Sequence, residues 1–261
     1  MIKKNLIICI AGVPLEFIFT DSSMYSRVKK RYHGYVIKKS IPIISFVCSF
    51  TSKKISQTKK VKLTYKDKAW KLIRNDFSCS WNKHSGALIL RRSIYAFDAC
   101  LRICFATVLP EAGGILFHGS SIAIGASAHL FVGPSEAGKT TIARLSGKKV
   151  LNDEITAIKC NDNEIQAFGT PFWGEMGTGP VYKQKFILKS VNLIRKSAQT
   201  RKKLKIPVEA LPKLLQCCCY FGKAPNKIKE LLTVMLEIIE HIPIFDLQFQ
   251  KSSEFLKVLH K

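Results

Sequence analysis

The fold is decided by one stretch of nine residues, Gly133-Pro134-Ser135-Glu136-Ala137-Gly138-Lys139-Thr140-Thr141. This stretch satisfies the phosphate-loop pattern G-x-x-x-x-G-K-[ST] without a mismatch. The apolar run HLFV before it predicts a strand, and TTIARLSG after it predicts a helix. A glycine-rich turn that enters a helix points backbone N–H groups at an anion. The sequence therefore predicts a phosphate-binding site on residues 133–141.

Two side chains of this loop have expected roles toward a bound nucleotide. The Lys139 ammonium would reach the β- and γ-phosphates as a point charge. The Thr140 hydroxyl would hold Mg²⁺. ATP and Mg²⁺ are accordingly the expected cofactors.

An acidic pair, Asp153-Glu154, follows closely in the segment KKVLNDEITAI. The residues KVL before the pair predict a strand, whose end would place both carboxylates beside the loop. Asp153 could hold the metal directly or through water, and either acid could accept the proton of a substrate hydroxyl. So short a connection is not typical of GTPases or transport ATPases, and the guanine-reading motif N-K-x-D is missing from the sequence.

The composition is that of a globular protein with a strong basic excess. The chain has 261 residues, of which 47% are hydrophobic, and a formal net charge of +24. Residues 1–110 alone carry 21 basic and 5 acidic side chains. This excess could recruit an acidic partner. Nucleic acid is not expected as a partner, because no helix-turn-helix, zinc-finger or RNP-like motif accompanies the charge.

The element pattern predicts an α/β protein in two parts. Residues 1–94 form a basic region of short β segments, and residues 95–261 form the phosphate-loop domain. A helix is expected over 95–109, a hairpin turn at Asn161-Asp162-Asn163, and a strand near 243–249; three further helices are expected over 208–219, 226–240 and 252–260.

The most apolar N-terminal run, residues 5–19, is too short for a membrane span. Pro14 and Glu16 interrupt it, so a buried strand or hairpin is expected and no transmembrane segment. The run also lacks a small-residue cleavage site, so a signal peptide is not expected.

Nine cysteines are scattered through the chain without a paired C-x-x-C ladder. Cys100 and Cys104 could share a helix face as metal ligands, but two buried apolar residues are the favoured interpretation, and no zinc is expected. An odd number of thiols indicates a reducing, cytoplasmic location.

The residues between His118 and Glu175 resemble the HPr kinase/phosphorylase-like proteins, which share a nucleotide-binding fold with ATP-dependent phosphoenolpyruvate carboxykinases. Four segments carry the resemblance, which extends over roughly residues 70–190: HGSS at 118–121, the loop GPSEAGKTT, VLNDEITAI, and FGTPFWGE at 168–175. The resemblance implies a phosphoenolpyruvate carboxykinase/HPr kinase-like phosphate-loop domain with a mixed sheet.

The resemblance also implies functional roles. It implies a kinase whose acceptor is the serine hydroxyl of a protein or peptide, with His118 beside the phosphates and a homo-oligomer as a possible assembly. Asp153, Glu154, His118 and Lys139 would then be the catalytic residues. Arg195 and Arg201 are further candidates for neutralising charge, and Trp173 and Glu175 could shape a substrate lid or belong to a plain loop whose glycines include Gly179.

This sequence departs from the family at two positions and leaves other functions open. Glu136 stands where a glycine is usual, and the acidic pair is Asp-Glu instead of Asp-Asp. The signature that contacts HPr is not recognisable, so another acceptor is expected. The alternatives are a catalytically weak nucleotide-binding regulatory or partner module, and a small-molecule kinase. Carboxykinase chemistry would need carboxylate-binding arginines that the sequence does not identify.

Overall fold

The computed structural model describes residues 3–161, 164–177, 184–220 and 222–259, and shows an α/β protein with mixed sheets and a β-rich N-terminal part. The chain divides into two compact units, Met1–Val108 with Tyr220–Ile228, and Leu109–Cys219 with Lys229–Lys261. The boundary expected at residues 94/95 lies one residue inside the helix Ile94–Val108, and the division between the two compact units falls after that helix. That helix packs on strands and a helix of the N-terminal unit, which explains the difference. Within the described residues, every helix is too short or too polar to cross a bilayer.

One mixed sheet of eight strands builds the N-terminal unit. Its strands are β1 Lys4–Ile10, β2 Val13–Phe19, β3 Val36–Ile37, β4 Ile44–Thr51, β5 Lys62–Lys66, β6 Ala69–Arg74, β7 Phe77–Trp81 and β8 Ser85–Arg91. They lie in the order β3-β1-β2-β4-β8-β7-β6-β5. The pairs β2–β4 and β4–β8 are parallel, and the others are antiparallel. The apolar run near the N-terminus forms the β1–β2 hairpin, as expected.

Two helices, α1 Ser22–Arg31 and α2 Ile94–Val108, belong to this unit. Helix α2 confirms the helix expected over 95–109, and its apolar residues pack on β7 and β8. Phe97 of α2 contacts the rings of Phe17 and Phe19 in the core. Helix α1 was not predicted, although Asp21 caps it by accepting a hydrogen bond from the Met24 N–H. Within the region expected to form short β segments, residues His33–Tyr35 form a 3-10 turn instead of a strand.

A second sheet builds the other unit. It contains β9 Gly114–Ile124, β10 Ser127–Val132, β11 Lys149–Asn152, β12 Ile155–Asn161, β13 Glu164–Phe168, β14 Lys185–Lys196, β15 Arg201–Leu204 and β16 Ile244–Phe249. The path runs β10-β9-β12-β13-β14-β16-β15, and a parallel pairing of β10 with β14 closes the first five strands into a ring. The strands of the expected 161–163 hairpin are present as β12 and β13, while residues 162–163 of its turn lie outside the described residues.

Four helices complete the described elements: α3 Lys139–Leu145, α4 Pro207–Cys217, α5 Pro225–His241 and α6 Phe255–Leu259. They confirm the helices expected after the loop and in the C-terminal part, with ends shifted by a few residues. An apolar cluster that includes Phe131, Ile142, Phe249 and Phe255 buries the inner face of α3. This cluster fixes the helix that begins at the end of the phosphate-loop sequence.

Candidate functional site

The loop between β10 and α3 is a turn with two residues at positive φ, Glu136 and Gly138. Gly138 precedes α3 with φ +105°, a conformation that L side chains rarely adopt. A Cβ atom at this position would lie 2.6 Å from the ring of Phe249, so glycine is also required by space. Glu136 has φ +64°, in the left-handed region, which explains why a glycine would suit this position better.

The Lys139 side chain lies against its own loop and is only 7% exposed. Its Nζ atom donates to the carbonyl oxygens of Gly133 at 3.0 Å and Pro134 at 2.9 Å. Burial lowers the pKa of the Lys139 ammonium below its ordinary value. A positive charge is therefore held ready at the loop with carbonyl oxygens as its partners.

Strand β9 lies next to both the loop and the residues around the acidic pair. The Ser120 hydroxyl donates to the Lys139 carbonyl oxygen at 2.9 Å, which fixes the start of α3 to β9. His118, two residues earlier on β9, is paired with Ile155 of β12 and exposes its side chain. His118 therefore lies on the strand that adjoins both the loop helix and the residues after the acidic pair.

Asp153 is held by backbone N–H groups. It is 2% exposed, and its Oδ1 and Oδ2 atoms accept from the N–H groups of Gly174 and Met176, each at 2.9 Å. The preceding Asn152 fixes the turn, because its Oδ1 atom accepts from the Glu154 and Ile155 N–H groups at 2.7 Å. These contacts give the Asp153 carboxylate a fixed orientation.

The segment 168–177 is docked on the acidic pair. Thr170, Phe172 and Trp173 are buried, and a Cβ atom on Gly174 would lie 3.0 Å from Asp153 Oδ2. Glu175 forms an exposed ion pair with Arg144 of α3 at 3.0 Å. The sequence allowed two interpretations of this segment, a substrate lid and a plain connecting loop. The described part of the segment supports the acidic pair, and Gly179 lies outside the described residues.

One cleft of about 750 Å³ brings the expected residues together. Its lining includes His118, Ser135, Glu136, Gly138, Lys139, Thr140, Thr141, Asp153 and Glu154. Arg144 and Lys196 also line it, and no sequence motif points to either of them. Arg144 follows Lys139 on the same helix, so its place could have been inferred; Lys196 ends β14, which only sheet pairing brings to the loop. The hydroxyl of Thr140 and the carboxylates are the oxygen ligands that Mg²⁺ prefers.

A second cleft of about 730 Å³ lies along the other part of the loop and is lined by Gly133, Pro134, Leu193, Arg195 and Cys217 among others. Burial raises the pKa of the Cys217 thiol, although the Lys139 ammonium and the Gly133 N–H oppose this shift. Arg195 therefore faces a cleft at the loop, whereas Arg201 lies on β15, where it donates to Gln199.

Comparison with known proteins gives a likeness to solved structures but no match to a family or to a curated sequence. No protein-family model matches the chain, and no curated protein matches it. Among solved structures, the chain is similar to the Hpr(Ser) kinase/phosphatase from Coxiella burnetii, with 11% sequence identity and a TM-score of 0.28. The match covers 55% of this chain and 90% of that chain. A likeness with so low a TM-score carries no argument about function, which must come from the residues of the cleft.

Proposed function

We propose that this protein is a kinase that transfers the γ-phosphoryl group of ATP to a hydroxyl group, a serine of a protein or peptide. The observation that carries the proposal is the shared cleft: Lys139, Thr140 and the Asp153-Glu154 pair line the same 750 Å³ space. Phosphoryl transfer needs positioning and positive charge at the phosphates, and it needs a carboxylate near the attacking hydroxyl.

The loop would bind the nucleotide. Backbone N–H groups of residues 133–141 and the start of α3 would receive the phosphates, with Lys139 beside the β- and γ-phosphates. Mg²⁺, when bound, supplies positive charge to the phosphate oxygens. Thr140 and Asp153 would hold it. The Asp153 carboxylate is suited to be a metal ligand, because N–H donors already fix the orientation of both of its oxygens.

The transfer step would proceed at the acidic end of the cleft. The acceptor oxygen forms a bond to the γ-phosphorus while the bond to the β–γ bridging oxygen breaks, and ADP leaves with that electron pair. The acceptor proton passes to a carboxylate, for which Glu154 is favoured over Asp153 because its side chain is less buried. His118 would support the phosphates from β9.

Calorimetry and ADP release test this proposal together. We expect the wild-type protein to bind ATP only when Mg²⁺ is present and to release ADP slowly with water as acceptor. Lys139→Ala should lose both properties, while Lys148→Ala, an exposed lysine beyond α3, should retain them. Wild-type protein that takes up no ATP with Mg²⁺ would contradict the proposal.

A regulatory nucleotide-binding module is the second candidate, favoured by Glu136. An exposed carboxylate in the loop opposes phosphate binding electrostatically. It suits a sensor, which binds ATP without converting it to ADP. The two functions differ in Glu154→Gln: a kinase variant should still bind ATP but release much less ADP. A sensor binds ATP and releases no ADP in either form.

We also propose a reducing, cytoplasmic location. All nine cysteines carry free thiols, six of them buried. Persistent free thiols are typical of a reducing compartment. Protein purified without reductant and titrated in denaturant with chelator should show nine thiols, and fewer than nine would contradict this proposal.

A further inference from the structure

Four cysteines converge in the core of the N-terminal unit, outside the nucleotide cleft. Cys48 lies on β4, Cys79 on β7, and Cys100 and Cys104 on α2, and each is at most 1% exposed. Cys100 and Cys104 are four residues apart and share the helix face that packs on the sheet. The sulfur atoms of Cys79, Cys100 and Cys104 all lie within 4.8 Å of one another.

These sulfur positions fit a metal better than a disulfide. Four thiolates about 2.3 Å from a tetrahedral zinc ion lie about 3.8 Å from each other, so three sulfurs within 4.8 Å need only small shifts. A disulfide would join two of the three sulfurs and leave a third thiol in contact with it. Thiolates are soft ligands that select zinc among the common divalent ions.

The thiols also interact as a group. Thiolates, not thiols, bind metals, so ligation would place negative charge in this buried cluster. A buried anion is costly without a cation beside it. Arg74 interacts electrostatically with Cys100, but its guanidinium already binds the Asp76 carboxylate at 2.6 and 2.8 Å. A divalent cation among the sulfurs would offset this cost directly.

Cys48 supplies a fourth sulfur. It is fully buried, and the strand register places it in one row with Leu88 and Cys79 across β4, β8 and β7. Its thiol has only a long contact, 3.9 Å, to the Phe46 carbonyl oxygen. To act as the fourth ligand, its side chain would have to turn past Leu88, which lies between Cys48 and Cys79 in that row.

We propose that Cys79, Cys100 and Cys104 bind a structural zinc ion, with Cys48 as the fourth ligand. The ion would join α2 to strands β4 and β7. Because all four side chains are buried, the site has no open position for a substrate and is structural, not catalytic. The sequence did not predict it, since its ligands come from three elements and Cys79 is far from Cys100 along the chain.

Metal analysis of the full-length protein tests the site. We expect about one zinc ion per chain after purification without chelators. Cys104→Ser should lower this content strongly, whereas Cys160→Ser, a buried cysteine of the other unit, should leave it unchanged. Zinc below about 0.1 per chain, or copper or iron in its place, would overturn the proposal.

Two measurements on the unmodified chain keep the test decisive if Cys104→Ser fails to fold. A strong chelator should lower the Tm and added zinc should restore it, because a metal that binds only the folded state stabilises it. An unchanged Tm contradicts the site. Thiol titration in denaturant with chelator should count all nine thiols, and two fewer would show a disulfide and overturn the proposal.

Discussion

At the scale of one residue, Lys139 is a buried charge whose hydrogen-bond partners come from its own loop. Its ammonium is buried, donates to two carbonyl oxygens of its own loop, and has a lowered pKa because of burial. A charge held in this way costs folding free energy until an anion arrives. Sites that trade stability for binding are common at functional positions.

The lowered pKa of Lys139 predicts opposite effects of alkaline pH on binding and on stability. As pH rises through the folded-state pKa, below the usual value of about 10.4, Lys139 loses its charge and ATP affinity should fall. The unfolded state binds more protons in this window, so the Lys139 contribution to unfolding free energy should rise with pH. Calorimetric Kd values and Tm from pH 7 to 10 measure both trends. A Lys139→Met variant should show neither, and identical profiles for the two proteins would contradict the prediction.

Glu136 is unfavourable at its position for two reasons, its backbone conformation and its negative charge. Its φ of +64° costs about 1–2 kcal/mol of folding free energy for an L residue. Glycine would remove this strain, but part of the gain would be lost because glycine makes the unfolded chain more flexible. We expect Glu136→Gly to raise stability by about 0.5 kcal/mol and to tighten ATP binding about fivefold.

Glu136→Gln separates the two causes, since it removes the charge and keeps the strained backbone. It should tighten ATP binding without a rise in Tm. ATP binding that weakens in both variants would show that the carboxylate assists the nucleotide, contrary to the prediction.

At the scale of elements, the segment 168–177 and the turn after β11 form one unit around the acidic pair. Asn152 donates from Nδ2 to the Thr170 carbonyl and hydroxyl oxygens, and Gly174 and Met176 donate to Asp153. The segment therefore positions a carboxylate instead of only connecting two strands.

Gly174→Ala should disturb this arrangement and lower the rate of transfer more than it weakens nucleotide binding. Its Cβ would lie 3.0 Å from Asp153 Oδ2 and 3.2 Å from Glu154 Cβ, so the carboxylates must move. A shift of a few tenths of an ångström is smaller than the ~1 Å that can cost about hundredfold, so we expect kcat to fall by about threefold to tenfold. Steady-state ADP release measures kcat, and calorimetry and Tm show whether binding and folding are retained. A wild-type kcat would show that the segment does not position the acids.

At the scale of the whole molecule, the basic charge is concentrated in the N-terminal part. Residues 1–110 carry 21 basic and 5 acidic side chains, and helix α1 ends in Lys29, Lys30 and Arg31. The lysines of this group are exposed, and a surface of one sign attracts partners of the other. An acidic acceptor protein or peptide would be recruited by this charge.

A fluorescent oligoglutamate peptide tests this recruitment. Its affinity should fall steeply between about 0.1 M and about 1 M salt, where the Debye length shrinks from about 10 Å to about 3 Å. Lys29→Glu with Lys30→Glu should weaken binding severalfold at low salt, whereas Lys251→Glu with Lys257→Glu, also exposed, should have less effect. Equal effects of the two pairs would assign the attraction to overall charge and not to α1.

The sequence by itself determined what depends on local geometry. The loop, the helix that starts at Lys139 and the strand before Asp153 follow from torsion preferences and periodicity within a few residues. The helix cap at Asp21 was equally local, and α1 could have been predicted from it.

Only the tertiary structure decided which distant residues meet. The N–H groups of Gly174 and Met176 on Asp153, Lys196 at the cleft, and Cys79 beside Cys100 and Cys104 all depend on strand order and helix packing. Those contacts join residues about 20 or more positions apart, and many sheet orders satisfy the same local pattern. Burial of apolar surface across the whole sheet selects among them, which is a property of the fold and not of any short segment.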